Sequence, residues 1–457
     1  MKIGNRESGI EDPGLMKKVL FCAVLALCPA FSAAEDAPMR LGVAFGAAVE
    51  DTAPSEDEMF STPEVVTQAA GEGGPAEDKK TLGFSGEVIS VLEDVVYSSS
   101  TGNPFNSYIV GNLLLDARLK NGVKAFANME TAYYSKTRET NSTLREVFLD
   151  FNLDRRVYFR TGKQVLQWGR CYLWNPTDLV NVEKKPFTRK IGYRDGAYGV
   201  KFHVPFGTDY NIYGFLDTGN AAEDRDLGGA LKFELLTGRT EMAFSGWAKR
   251  NRRPVFGYDL SSRVGDVDIA GEVSVARRDN TRFIRNDSGM LNVYRKDDDW
   301  VTKAAVNFSE GFRLGNFNDR LIVTTEFFYN QSGYTKSPFS DKTLYAFTGP
   351  LALLLPAGTK AQFLLGNGLY EPNYLSRYYG ALFTSVSRFI ITDLTLSLNY
   401  VRNLNDQSGV LSTGLSYKNL NDFSAGCLVN AYLGPARREY TFAGAKLSAQ
   451  LIAGVSF

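Results

Sequence analysis

The side chains in this 457-residue sequence that could do chemistry are few: one histidine, four cysteines and a run of bases between positions 170 and 196. His203 stands in Lys201-Phe202-His203-Val204, and a hydrolase would need it paired with a nucleophile and an orienting carboxylate. No Ser or Asp is placed by sequence to serve it, so it reads as a wall residue near a turn. Cys22 and Cys28 fall in an N-terminal apolar run. Cys171 and Cys427 are far apart in sequence, which supports no disulfide framework. There is no His cluster with metal-ligand spacing and no Gly-rich phosphate loop ahead of a helix. The expectation is a protein that is not an enzyme, without cofactor, metal or nucleic-acid partner.

The basic run is the better candidate. Residues 170–196 carry Arg170, Lys184, Lys185, Arg189, Lys190 and Arg194 against Asp178, Glu183 and Asp195. Folded into a water-filled channel, such a loop raises the local anion concentration and disfavours cations. On an outer surface the same charges would only keep a loop solvated. The two readings differ in what surrounds the loop, and that depends on the rest of the chain.

From position 81 onward the hydropathy has a period of two. Val147, Leu149, Phe151 and Leu153 alternate with Glu146, Phe148, Asp150 and Asn152, and Leu394, Leu396, Leu398 and Tyr400 with Thr395, Ser397, Asn399 and Val401. Successive side chains of a strand point to opposite faces, so each segment has an apolar and a polar side. The segments run to ~10 to 14 residues, beyond the ~5 to 6 common in soluble sheets and sufficient to cross a bilayer when tilted. About eighteen are present, starting near Leu82, Phe105, Val123, Thr143, Arg156, Ala197, Asp209, Leu227, Arg239, Pro254, Val267, Trp300, Asp319, Arg377, Thr392, Gly409, Asp422 and Leu447.

The connections sort by parity. Those after even strands are mostly short, as at Asn121-Gly122, Asp154-Arg155, Gly207-Thr208, Thr237-Gly238 and Asn419-Leu420. Those after odd strands include the long ones, 170–196, 280–299, 330–376 and 434–446. A soluble sandwich has no cause to sort its loops in this way. A bacterial barrel does, with turns in the periplasm and loops outside. The predicted fold is therefore all-β, a transmembrane antiparallel up-and-down β-barrel of about 18 strands, with 16 or 20 as alternatives, over residues 81–457. The count of 20 would follow if the apolar stretch 350–368 formed another hairpin; Pro350 and Pro356 favour a loop there. Leu447, Ala449, Leu451, Ala453, Val455 and Phe457 form an apolar row ending on an aromatic, like the terminal strand signal by which such barrels are inserted. Tyr97, Tyr133, Tyr134, Phe328, Tyr329, Tyr378 and Tyr400 could supply interfacial girdles.

A barrel of this size encloses a lumen. Its expected lining includes Glu146, Asp150, Arg160, Gln164 and Lys201, with Glu130, Lys232, Glu234, Asp259, Glu272, Lys303 and Glu326. Mixed charge suits a hydrated route for small polar or charged solutes, with loop 170–196 as constriction. A closed structural or adhesive barrel, and less readily a barrel hydrolase, are the other readings. An energised receptor would need ~22 strands and a plug domain.

The N-terminus reads as an export signal. Met16-Lys17-Lys18 precedes an apolar run too short to span a membrane and then Ser32-Ala33-Ala34, which fits a signal peptide over 1–34, with 1–15 a possible non-native extension. Residues 35–80 hold eleven acids and three bases and cannot bury enough apolar area to fold alone, so a disordered periplasmic tether is expected. The chain has 51 bases and 51 acids, but without signal and tether the remainder is basic by about seven charges. Expected partners are outer-membrane lipids, lipopolysaccharide, the barrel-insertion machinery and small solutes, at the bacterial outer membrane.

Arg160-Thr161-Gly162-Lys163-Gln164, Gln167-Trp168-Gly169 and Asn175-Pro176-Thr177-Asp178 resemble a pattern in porin-like outer-membrane barrels, akin to the alginate-export type of eighteen strands. Asn403-Leu404-Asn405-Asp406-Gln407-Ser408-Gly409 is similar too. The resemblance covers the barrel alone. It implies a porin-like conduit and carries no substrate across.

Overall fold

The computed structural model describes residues 82–97, 105–119, 122–166, 168–180, 194–219, 221–250, 252–278, 281–287, 290–295, 300–340, 370–419 and 422–457. The expected signal peptide and tether, the stretch 350–368, and Gln167, Lys184, Lys185, Arg189 and Lys190 lie outside the described residues.

The apolar–polar alternation becomes eighteen antiparallel strands. They are β1 (Leu82–Tyr97), β2 (Phe105–Arg118), β3 (Lys124–Tyr134), β4 (Glu139–Leu153), β5 (Val157–Gln164), β6 (Ala197–Phe206), β7 (Tyr210–Asp217), β8 (Gly228–Thr237), β9 (Thr240–Lys249), β10 (Val255–Val264) and β11 (Val267–Ala276). After an excursion come β14 (Val301–Leu314), β15 (Phe317–Asn330), β16 (Tyr378–Val386), β17 (Leu394–Asn403), β18 (Gly409–Lys418), β19 (Phe423–Leu433) and β20 (Ala445–Ser456). The excursion is a separate two-stranded hairpin, β12 (Arg282–Asp287) and β13 (Met290–Arg295), inserted where the sequence suggested only a loop. Each barrel strand pairs with its neighbour, β11 pairs with β14, and β1 pairs with β20 over Glu87↔Ser456 to Tyr97↔Ala445. The sheet is closed, so no edge is left unpaired for lipid to meet.

Tight turns occupy one end. Asp154 and Arg155 both have positive φ (52° and 55°), the backbone a two-residue hairpin needs to match strand twist, and the Asn152 Oδ1 accepts the Arg155 amide at 3.1 Å. Register sets the faces. Leu398 is 43% exposed on the lipid side, while Ser397 and Asn399 are each 4% exposed on the luminal side. One expected girdle residue is misplaced: Phe328 lies on the luminal parity of β15, 2% exposed, stacked on Trp174 with ring centroids 5.5 Å apart. The terminal row closes the seam. Val455 and Phe457 are exposed, and the Phe457 backbone exchanges two 2.9 Å hydrogen bonds with Gly86.

Candidate functional site

The connection after β5 runs inside the barrel. Its departure is fixed by Gln164, fully buried, whose amide donates to the carbonyls of Arg160 (3.2 Å) and Gly199 (3.4 Å), and by Glu146, which accepts the Val165 amide at 2.9 Å. Arg160 forks onto Asp150 (2.7 and 2.9 Å) and lies over the Phe148 ring. Lys201 is buried beside Tyr213. Leu166, Trp168 and Val180 pack with Ala197, Tyr213, Phe215 and Ala230 of β6 to β8.

Further on, two wall carboxyls gather the loop backbone. Glu272 of β11 accepts the amides of Arg170 and Cys171 (both 2.6 Å) and of Thr177 (3.0 Å), the Asn175 side-chain amide (2.9 Å) and the Thr177 hydroxyl (2.7 Å). Glu326 of β15 accepts the amides of Tyr172 (2.9 Å), Leu173 (2.9 Å) and Trp174 (2.6 Å), and the Asn307 side chain at 3.3 Å. An irregular segment inside a barrel has no ladder to satisfy its amides, so these acceptors remove what would be a desolvation penalty for each. The wall beneath is cut back to make room. A Cβ on Gly257 would stand 2.4 Å from Ser245 Oγ and 3.0 Å from Thr177 Cγ2, and Ala270, Ala305 and Ala381 pack against Cys171, Leu173 and Trp174.

The structure brings two of the six expected constriction bases into view, and both are compensated. Arg170 donates to Asp259 (2.5 Å), Glu234 (2.8 Å) and Glu241. Arg194 pairs with Asp178 at 3.0 Å, each side chain 3% exposed. Lys232 adds a 3.1 Å bond to the Trp168 carbonyl. His203 is an inward wall residue, stacked on Tyr213 with its Nε2 3.1 Å from Asn211 Oδ1. Among the described residues no His, Cys, Asp and Glu group could hold a metal ion.

Sequence reasoning placed Glu272 and Glu326 on the luminal face but missed that they hold the loop. It missed Glu439 altogether. This fully buried loop carboxyl accepts from Tyr379 Oη (2.8 Å), Asn403 Nδ2 (2.7 Å) and the Asn373 amide (3.0 Å), and its own amide donates to Asp406 (2.8 Å). Asn373 in turn accepts the Trp174 indole on its carbonyl at 2.8 Å, so the outer loops and the inner loop are tied together. The Asn403–Gly409 motif was the available signal: Asn403 Oδ1 accepts the amides of Asn405 and Asp406, and Asp406 caps Ser408.

A closed eighteen-stranded barrel with an apolar outer belt, a polar inner face and a loop seated within has the fold of porin barrels. In fold the chain is similar to OccAB3 of Acinetobacter baumannii (TM-score 0.51, 9% identity, covering 82% of this chain and 99% of that one). It is likewise similar to OccK5 (OpdH) of Pseudomonas aeruginosa (TM-score 0.50, 11% identity, 82% and 98%) and to OpdL of the same organism (TM-score 0.50, 10% identity, 82% and 98%). No protein-family model matches the chain, and no curated protein matches it in sequence.

Proposed function

We propose that this barrel is an outer-membrane diffusion channel for small polar or charged solutes, narrowed by the loop that follows β5. The observation that carries the reading is the docking of residues 170–177 onto Glu272 and Glu326, which takes up luminal space at the level of a polar wall. Arg170, Lys184, Lys185, Arg189, Lys190 and Arg194 are the proposed constriction residues, and Glu146, Asp150, Arg160, Gln164 and Lys201 the proposed lining. Because Arg170 and Arg194 are matched by carboxylates, any anion preference would come from the other four. Kinship with the alginate-export type of barrel is a finer reading, supported by the strand count and by the loop motif. In the cell, a signal peptide over 1–34 would direct export, 35–80 would be a periplasmic tether, and Val455 and Phe457 would present the terminal signal to the insertion machinery. Lipid and lipopolysaccharide would surround the belt.

Planar-bilayer recording of the purified barrel tests the channel. Stepwise conductance in the wild type, enlarged when the loop is released, is expected. A barrel that never conducts, even after removal of residues 170–194, would mean a closed scaffold.

A further inference from the structure

Exposed arginines follow the lipid-facing rows of β9, β10 and β11 in the connections at one end of these strands. On β10 the outward parity runs through Phe256, 60% exposed, and Pro254 and Arg252, both exposed, lie in the connection that enters the strand. Arg250 stands exposed in the turn that follows β9, and Arg277 stands exposed directly after β11, following Val273 and Val275. The registers Val255↔Trp247, Val255↔Ala276 and Ala276↔Val301 place these overhangs side by side, with Arg277 next to the level of Trp300 on the adjoining strand. Strands lie ~4.8 Å apart and rise ~3.4 Å per residue, so the three residues stand within about two strand spacings of one another along the sheet. Arg250, Arg252 and Arg277 are all exposed, and so is Trp300 at 54%.

Among the described residues, Arg252 and Arg277 have no carboxylate partner, and Arg250 meets Asp226 at 3.3 Å in a solvent-exposed pair, which is of little net worth and readily exchanged. Lys249 turns the other way and bonds Asp217. A solute entering the lumen would meet the inward parity, whereas these arginines sit above exposed Phe256 and beside Trp300. Apolar belt, aromatic and cation in that order is the profile of a membrane interface.

We propose that Arg250, Arg252 and Arg277 form a binding site for the phosphate groups of a glycolipid in the outer leaflet. Guanidinium forks match phosphate oxygens two at a time, and three of them on adjacent strands can engage a headgroup bearing more than one phosphate. The proposal rests on the outer-membrane reading above, which sets this rim in the outer leaflet.

The test uses the full barrel in detergent with bisphosphorylated lipid A as probe, its dephosphorylated form as control and inorganic phosphate as competitor, read by native mass spectrometry and by melting temperature. Wild-type barrel is expected to retain the phosphorylated lipid and melt higher with it, less so as salt rises. The triple variant R250Q/R252Q/R277Q should lose at least about tenfold in affinity, and Arg-to-Lys replacements should keep part of it. Millimolar inorganic phosphate should not displace the lipid; if it does, the site takes a free anion and the proposal fails. Equal binding by the glutamine variant, or by the dephosphorylated lipid, also overturns it. Bilayer conductance of the same variant should match wild type, so failure here leaves the channel reading to its own test.

Discussion

Two sets of buried carboxyls hold this molecule's irregular segments, and they do so differently. Glu272 and Glu326 project from strands, and most of their donors are backbone amides of one short stretch. Glu439 lies in a loop; its carboxyl accepts from the side chains of Tyr379 of β16 and Asn403 of β17 and from the Asn373 amide, and its own amide donates to Asp406, another carboxylate. The first arrangement depends on the wall and tolerates varied side chains on the loop, because any non-proline residue supplies an amide. The second is specified side chain by side chain and places two acids together. The wall pair should therefore fix the channel's bore, and the loop cluster should respond to pH.

The largest effect expected follows from breaking the wall pair. Glu326→Ala strips three loop amides of their acceptor, each left at a cost of about 1–3 kcal/mol. The loop should detach, and single-channel conductance should rise several-fold with a lower melting temperature. Glu439→Ala should destabilise the outer loops with a smaller change in bore. If the two variants conduct alike, the inner loop does not set the constriction.

Next in size is a check of the register that puts these carboxyls inside. An arginine at the lipid midplane costs about 2–4 kcal/mol. Leu398→Arg should accordingly reduce the yield of folded barrel while Ser397→Arg is tolerated, measured by heat-modifiable migration. The reverse ranking would turn every luminal carboxyl outward.

A more modest effect concerns pH. Burial pushes the Glu439 carboxyl up to about 8, and Asp406 adds to the rise, against hydrogen bonds from Tyr379 and Asn403 that favour the charged form. The folded state then keeps a proton that the unfolded chain releases in the ordinary carboxylate range. Its contribution is fully present below that range and is lost as pH rises through about 8. Melting temperature should fall by a few degrees between pH 5 and pH 9, and Glu439→Gln should flatten the slope. A slope unchanged in the variant would assign the dependence elsewhere.

The smallest effect is on selectivity. With Arg170 and Arg194 matched by acids, replacing Lys184, Lys185, Arg189 and Lys190 together by Gln should shift the reversal potential in a salt gradient toward cations by a few millivolts, more at low salt. No shift in a conducting barrel would leave those four outside the pore.

What the sequence by itself determined is local. Alternation has a period of two residues, and turns such as Asp154-Arg155 are written in the residues that make them. Residue order alone therefore carries eighteen strand positions, the sorting of turns from loops and the inward parity of Glu146, Lys201 and Ser397. The tertiary structure decided which distant groups meet. Arg170 finds Asp259 across 89 residues and Tyr172 finds Glu326 across 154, and neither distance leaves a periodic trace. Such pairs exist only once closure of the sheet brings opposite walls within reach of one loop. The same holds for Phe328, which β-propensity and position near a strand end suggested for the membrane interface; its partner Trp174 arrives from 154 residues away in the chain. Charge likewise was countable in the sequence, but its effect was not, because a base facing water and a base held by three carboxylates differ only in what the fold sets beside them.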